Sequence, residues 1–325
     1  MPIEISELII RVTLPDIAPS APVATIPEPC LREHSKTVDG LVKALGFDVK
    51  GTVDVPHGYA VGGPSGQVEI FSASGALRAR NTDQMAKFED ERRNWSDVVK
   101  QETDDGIVYR LGDDADKTLT STTLRLLASI GLDGEHDSVG VSLGQWALLD
   151  DSGKELESGP GRATVQLGYA VDGVKLVGPG AKTNVHFDPD DAGGLGPIAR
   201  FFHVNRGFDG ARDVRLLSLE EAFQPILTQT WSGITLDPKI AKISITAAEY
   251  GLLALPADVP QRFAAPVLVV EGTVAGVITD DQTEVELRFG QYLPLTNAVS
   301  LAEAGLGSSG PVIPGSVVRG RRKGK

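Results

Sequence analysis

Cysteine is nearly missing: the 325 residues contain one, Cys30. A single thiol forms no intramolecular disulfide, so nothing asks for an oxidising compartment, and the expected location is the cytoplasm. No apolar run approaches the roughly 20 residues that span a bilayer, so no membrane partner is expected. The opening residues also lack a secretory pattern, because Glu4 and Glu7 stand where a basic and then an apolar region would be. Positive charge is in the minority, with 31 Lys and Arg against 44 Asp and Glu and a formal net charge of -13. Nucleic acid and anionic membrane both repel such a surface over a Debye length of about 8 Å, which disfavours them as principal partners. What remains is a composition of 41% hydrophobic and 23% charged residues, that of a soluble globular chain. Its length suits two or three units of about 100 to 200 residues each.

The first residues, MPIEISELIIRVTL, alternate at Ile3 and Ile5, slip phase at Glu7, and resume at Leu8, Ile10, Val12 and Leu14. That pattern predicts a strand with a bulge over 1–14. Five prolines follow between Pro15 and Pro29, which favour an extended spacer over 15–37. The strand is therefore expected to be tethered and to find an edge on its own body or on another chain. Ile3, Ile5, Leu8, Ile10 and Val12 are its candidate partner-binding residues. In the body, TVDGLVKALGF predicts a short amphipathic helix, and TVDVPHGYAV and QVEIFSASGALRA predict two strands joined by GGPSG. Met85, Phe88, Trp95 and Val99 recur at helical multiples and predict one long helix over 83–100.

One phrase is written twice. VGVSLGQWALLD from Val139 and ISITAAEYGLLA from Ile243 match position by position: Val139, Val141, Trp146, Leu148 and Leu149 answer Ile243, Ile245, Tyr250, Leu252 and Leu253. VQLGYAVDGV from Val165 answers LVVEGTVAGV from Leu268, with Gly173 and Gly276 expected at hairpin turns, and TNVHF answers VELRF. TLTSTTLRLLASIGL and LSLEEAFQPILTQT, upstream of the two copies, predict helices. The fold class that follows is α+β, with two similar units, each a curved antiparallel sheet packed on a helix, over 38–192 and 193–304. Residues 38–80 are expected to add an edge to the first sheet and IARFFHVNR to the second. Trp146 and Tyr250, at equivalent positions, are candidate recognition anchors. A basic tail over 305–325 ends in VVRGRRKGK.

Tests for chemistry return little. GPGAKT has Ala181 where a phosphate loop needs glycine, and it leads into a strand instead of a helix. The five histidines lack metal-ligand spacing, so no metal is expected. HFDPDDAGG lacks the bidentate glutamate of a calcium loop. Asp133, Glu135, His136 and Asp137 are the one set suited to general acid or base work, without a nucleophile beside them. Ser65 lacks a nucleophile-elbow context. No cofactor is implied, and the expectation is a non-enzyme with protein partners.

The opening MPIEISELIIRVTL resembles the start of a family of very small proteins encoded with contractile, phage-tail-like injection systems, which begin with Met, a small residue, Ile, Glu, Ile, then Glu-Leu and an apolar strand. The resemblance covers these residues alone, and the large body after the spacer departs from that family. It implies a structural or accessory place in such a particle, a particle component as partner, and the strand as docking element; delivery as cargo is its variant. The doubled body resembles the paired α+β domains of bacterial regulators such as YycH and YycI, and cystatin-like modules, whose members bind proteins or peptides. That resemblance implies a free peptide- or ligand-binding module, although those regulators carry a membrane anchor that this sequence does not show.

Overall fold

The computed structural model describes residues 7–29, 34–91, 93–103, 106–134, 136–228, 242–277, 284–299 and 312–313. It is an α+β fold dominated by strands. The chain opens with β1 (Glu7–Ile10) and β2 (Ser20–Thr25), then α1 (Ser35–Leu45). Four strands follow, β3 (Gly51–Val55), β4 (Gly58–Gly63), β5 (Gly66–Phe71) and β6 (Leu77–Asn81), then α2 (Thr82–Glu91) and the hairpin β7 (Val98–Thr103) and β8 (Gly106–Leu111). Next come α3 (Asp113–Ser129), β9 (Ser138–Leu149), β10 (Glu155–Gly168), β11 (Ala170–Val171), β12 (Val174–Val177), β13 (Lys182–Pro189), β14 (Leu195–Val204) and β15 (Gly210–Arg215). The last part holds α4 (Leu219–Thr228), β16 (Lys242–Leu253), β17 (Phe263–Ala264), β18 (Pro266–Val277), β19 (Glu284–Pro294) and β20 (Val312–Ile313).

Eight strands form one antiparallel sheet in the order β3-β4-β5-β6-β14-β13-β10-β9. Alternate residues of its strands, such as Ala163, Val165 and Leu167 on β10, share a buried cluster with Val38, Leu41 and Leu45 of α1 and Leu119 and Leu127 of α3. α1 ends at Gly46, whose left-handed backbone lets its N–H reach Val42 O. The acidic first turn of α3, Asp113, Asp114 and Asp116, suits the positive end of the helix dipole. On the opposite face α2 meets polar side chains: the Arg162 guanidinium lies 4.5 Å from the centre of the Phe88 ring and donates to Met85 O.

A second sheet runs β11-β12-β16-β18-β19-β20, with β1 also on β16. α4 contributes Ala222, Phe223 and Ile226 to its core, beside Ile243, Ile245, Leu268, Val270 and Phe289. The small sheet β15-β2-β17 closes this core with Ala21, Val23 and Val214.

The structure differs from the sequence expectations at several places. TVDVPHGYAV and QVEIFSASGALRA, each expected as one strand, turn back at Pro56–His57 and after Phe71, so each gives an antiparallel pair, β3 with β4 and β5 with β6. The helix over 83–100 stops at Glu91, and Val98 and Val99 enter β7 instead. Tertiary contacts override the periodicity here: Trp95 is buried with its indole N–H on Gly161 O, and Ser96 N–H bonds Gly193 O. The spacer contains a paired strand, β2, despite Pro22, because β17 reaches only Ala24 and Thr25 and Pro22 therefore has one ladder neighbour, on β15. IARFFHVNR forms β14, which joins the first sheet between β13 and β6. Gly173 does sit in a hairpin turn, with Asp172, but between β11 and β12, whereas Gly276 lies inside β18 opposite Val285.

Each matched portion contributes three adjacent antiparallel strands, β9-β10-β13 and β16-β18-β19, but neither is an uninterrupted helix and three strands: β11 and β12 intervene between β10 and β13, and β17 between β16 and β18. Their surroundings diverge. Val141 pairs with Val165 but Ile245 pairs with Gly272, and among the described residues the parallel pairings fall in the second sheet.

Candidate functional site

The residues expected to bind partners fall into two groups. Ile3 and Ile5 lie outside the described residues. From Glu7 to Ile10, β1 pairs in parallel with Lys242 to Ile245 of the same chain, placing Leu8 opposite Ile243 and Ile10 opposite Ile245. Arg11 N–H adds a bond to Ile245 O at 3.0 Å. Ile10 is 42% exposed, whereas Val12 and Leu14 pack on the core around α4. The same edge of β16 takes β12 farther along, at Leu252 and Leu253. Short strands thus cover both ends of that edge. A parallel ladder of four residues is short, and parallel pairing is slightly less stable per residue than antiparallel pairing.

Trp146 and Tyr250, matched in sequence, are both half-buried but sit at different points of their sheets, Trp146 beyond the reach of β13 and Tyr250 between β18 and the edge strands. Trp146 stands opposite Gly159, where a Cβ would lie 2.8 Å from the indole ring, so the glycine makes room for it. Tyr250 stands opposite Leu268 against the second core, and burial pushes its phenol pKa up. The flanking residues meet different fates. Ile243, Leu252 and Leu253 are fully buried, whereas Val139, Leu148 and Leu149 are exposed.

Histidines distant in sequence come together in space. The His203 ring faces Thr183 Oγ1 through Nδ1 at 2.7 Å, Thr183 Oγ1 bonds the Tyr169 hydroxyl at 2.5 Å, and the His136 ring lies 5.4 Å from the Tyr169 ring. Burial, followed by repulsion from His34 and His136, lowers the His203 pKa to about 4 and keeps the imidazole neutral. His203 borders a cavity of about 350 Å³ with His34, Ser74, Asn205 and Arg206. Ser74 and Arg206 already have structural partners. The Ser74 hydroxyl donates to Ala257 O, and Arg206 donates to Leu255 O, Pro256 O, Val259 O and Gln261 Oε1. Sequence spacing offered no signal for this cluster, since its members come from separate strands and loops.

The acidic segments have structural roles as well. Asp188 pairs with Arg162 Nε at 2.6 Å, Asp190 Oδ1 accepts the N–H groups of Ala192 and Gly194, and Asp191 pairs with Arg93. Burial raises the pKa of Asp188 despite Arg162 beside it. Glu69 is buried among His57, Arg78 and Gln67. Asp137 continues the β10 end through a bond to Gly168 O, and Glu135 lies outside the described residues. GPGAKT forms the turn from β12 into β13, with Gly180 N–H on Ala254 O. Among the described residues, no group of three His, Cys, Asp or Glu is placed to hold a metal, and no helix is long and apolar enough to cross a membrane.

No protein-family model matches the chain, and no curated protein does. Among solved structures it is similar to an uncharacterized protein from Eubacterium rectale, with 10% identity and a TM-score of 0.46 over 85% of this chain and 84% of that one.

Proposed function

We propose that the protein is a non-enzymatic structural or accessory component of a contractile, phage-tail-like injection particle, docking by its N-terminal strand on the sheet edge of a particle component. The observation that carries this reading is β1: four residue pairs in parallel at the edge of β16, with Ile10 outward and an extended segment behind it. A strand held so lightly can leave its own edge and add to another, where main-chain bonds supply affinity and alternate side chains supply specificity. The likeness of MPIEISELIIRVTL to small proteins of such systems names the assembly. The matched helix and three-strand portions support an origin of the body by internal duplication.

Removal of residues 1–10 tests the docking. Val12 and Leu14 remain, because they pack on the core. The truncated chain is expected to unfold at nearly the same urea concentration as the full chain, within about 1 kcal/mol, and to be lost from the purified particle. Undiminished co-purification contradicts the reading.

A further inference from the structure

The eight-stranded sheet ends in β3 on one side and β9 on the other, and neither has an outer ladder partner among the described residues. Exposed edges are normally guarded by charge, proline or a covering element. β9 has neither charge nor proline from Ser138 to Leu149, and Val139, Leu148 and Leu149 are exposed. β13 pairs with β10 only from Ala163 onward, so Gly144 to Leu149 and their partners from Glu155 project beyond it as a two-stranded ribbon. Such a ribbon is marginal in water unless something packs on it. β8 approaches β9 at Val141 to Leu143, bordering a gap there, which leaves Gln145 to Leu149 as the open stretch. At the far end, Gly51 to Asp54 of β3 are exposed and Val53 is 62% exposed.

Every pairing in this sheet is antiparallel and the number of strands is even, so β3 and β9 run in opposite directions. A second copy in the same orientation would therefore present its β3 antiparallel to β9 and continue the pattern without a break. We propose that this chain self-associates head to tail, Gly51–Val55 of one copy pairing with the Gln145–Leu149 stretch of the next. The lengths agree, five residues on each side. With Val53 opposite Ala147, Lys50 comes opposite Asp150 beside Asp151, and Val53 is diagonal to Leu149. Two of the most exposed apolar side chains of these edges then cover each other, within reach for a diagonal pair. Pairing β9 with a second β9 about Ala147 instead would place Asp150 opposite Gly144 and Asp151 opposite Leu143, with no basic residue facing either carboxylate. A heterologous contact of this kind closes into a ring or extends as a filament. It uses neither β1 nor the partner of β1, so it stands or falls separately from the docking reading.

Mixed disulfides test it. In a Cys30→Ser background, Thr52→Cys and Leu148→Cys are made in separate chains, since these positions face each other in the proposed register. Oxidation of the mixture is expected to give covalent dimers and of either variant alone only monomers, while a chain carrying both cysteines gives a ladder of higher species. Val53→Lys, at an exposed site that leaves folding intact, is expected to weaken association about tenfold or more by sedimentation. Dimers from either single variant alone, an absence of mixed dimers, or association unchanged by Val53→Lys would each overturn the proposal.

Discussion

Replacing Arg206 with alanine is expected to destabilise the fold by about 3–5 kcal/mol, among the largest effects of any single change here. The side chain is 5% exposed and reaches four acceptors: Leu255 O at 2.7 Å, Pro256 O at 2.9 Å, Val259 O at 2.8 Å and Gln261 Oε1 at 3.0 Å. Gln261 in turn donates to Leu253 O and Phe263 O and accepts from Leu255 N–H. The guanidinium thus pegs the segment between β16 and β17, and β17 closes the small sheet on β2. Burial lowers the Arg206 pKa to about 10, a sign of the cost of placing the charge there. Alanine leaves buried carbonyls without donors, which is costlier than the bonds themselves are stabilising. Lysine recovers little, because one ammonium cannot present a planar fork to four acceptors. Urea unfolding with an unchanged slope measures the loss, and a loss below about 1 kcal/mol contradicts this account of the segment.

Stability should also fall as the solution is acidified through the range set by the buried histidine. His203 titrates near 6.5 when unfolded and near 4 when folded, with burial the leading cause. Above pH 6.5 neither state holds the proton. Between 6.5 and about 4 the unfolded chain takes it up while the native imidazole stays neutral, so stability declines through that window and levels off below it. The loss attributable to His203 is about 3 kcal/mol. His186, also lowered to about 4 by burial and by Arg200 and Arg162, acts in the same direction, and the raised Asp188 opposes both. His203→Gln should therefore lose less stability than the parent between pH 7 and pH 4.5, whatever its stability at pH 7. Equal losses in parent and variant contradict a neutral buried imidazole.

Much of the strand content was legible because alternation survives in β10, β16 and β18, whose inward residues face a packed core. α1, α3 and α4 were legible from their apolar spacing. Pattern says which face is buried but not which strand is the neighbour. β14 reads as an equally good edge for either sheet, and only packing sends it between β13 and β6. Trp95 fits a helical stripe, yet its indole N–H and the strand-forming Val98 and Val99 draw that segment away from helix. Nor does sequence reveal edge status. VGVSLGQWALL and ISITAAEYGLL look alike, but among the described residues β16 is bordered on both sides and β9 on one. Tyr169, between β10 and β11, is linked by hydrogen bonds through Thr183 on β13 to His203 on β14, a chain that no local motif encodes.

The proposed docking requires the N-terminal strand to leave its own edge, and hydrogen exchange tests this in the intact chain. Backbone amides of Leu8 to Arg11 are expected to exchange about 100-fold faster or more than those of Val267 to Val274, because a four-residue parallel ladder opens locally while the centre of β18 opens only with its sheet. Equal protection of the two segments would mean that β1 is an integral strand, and would contradict its use as a docking element.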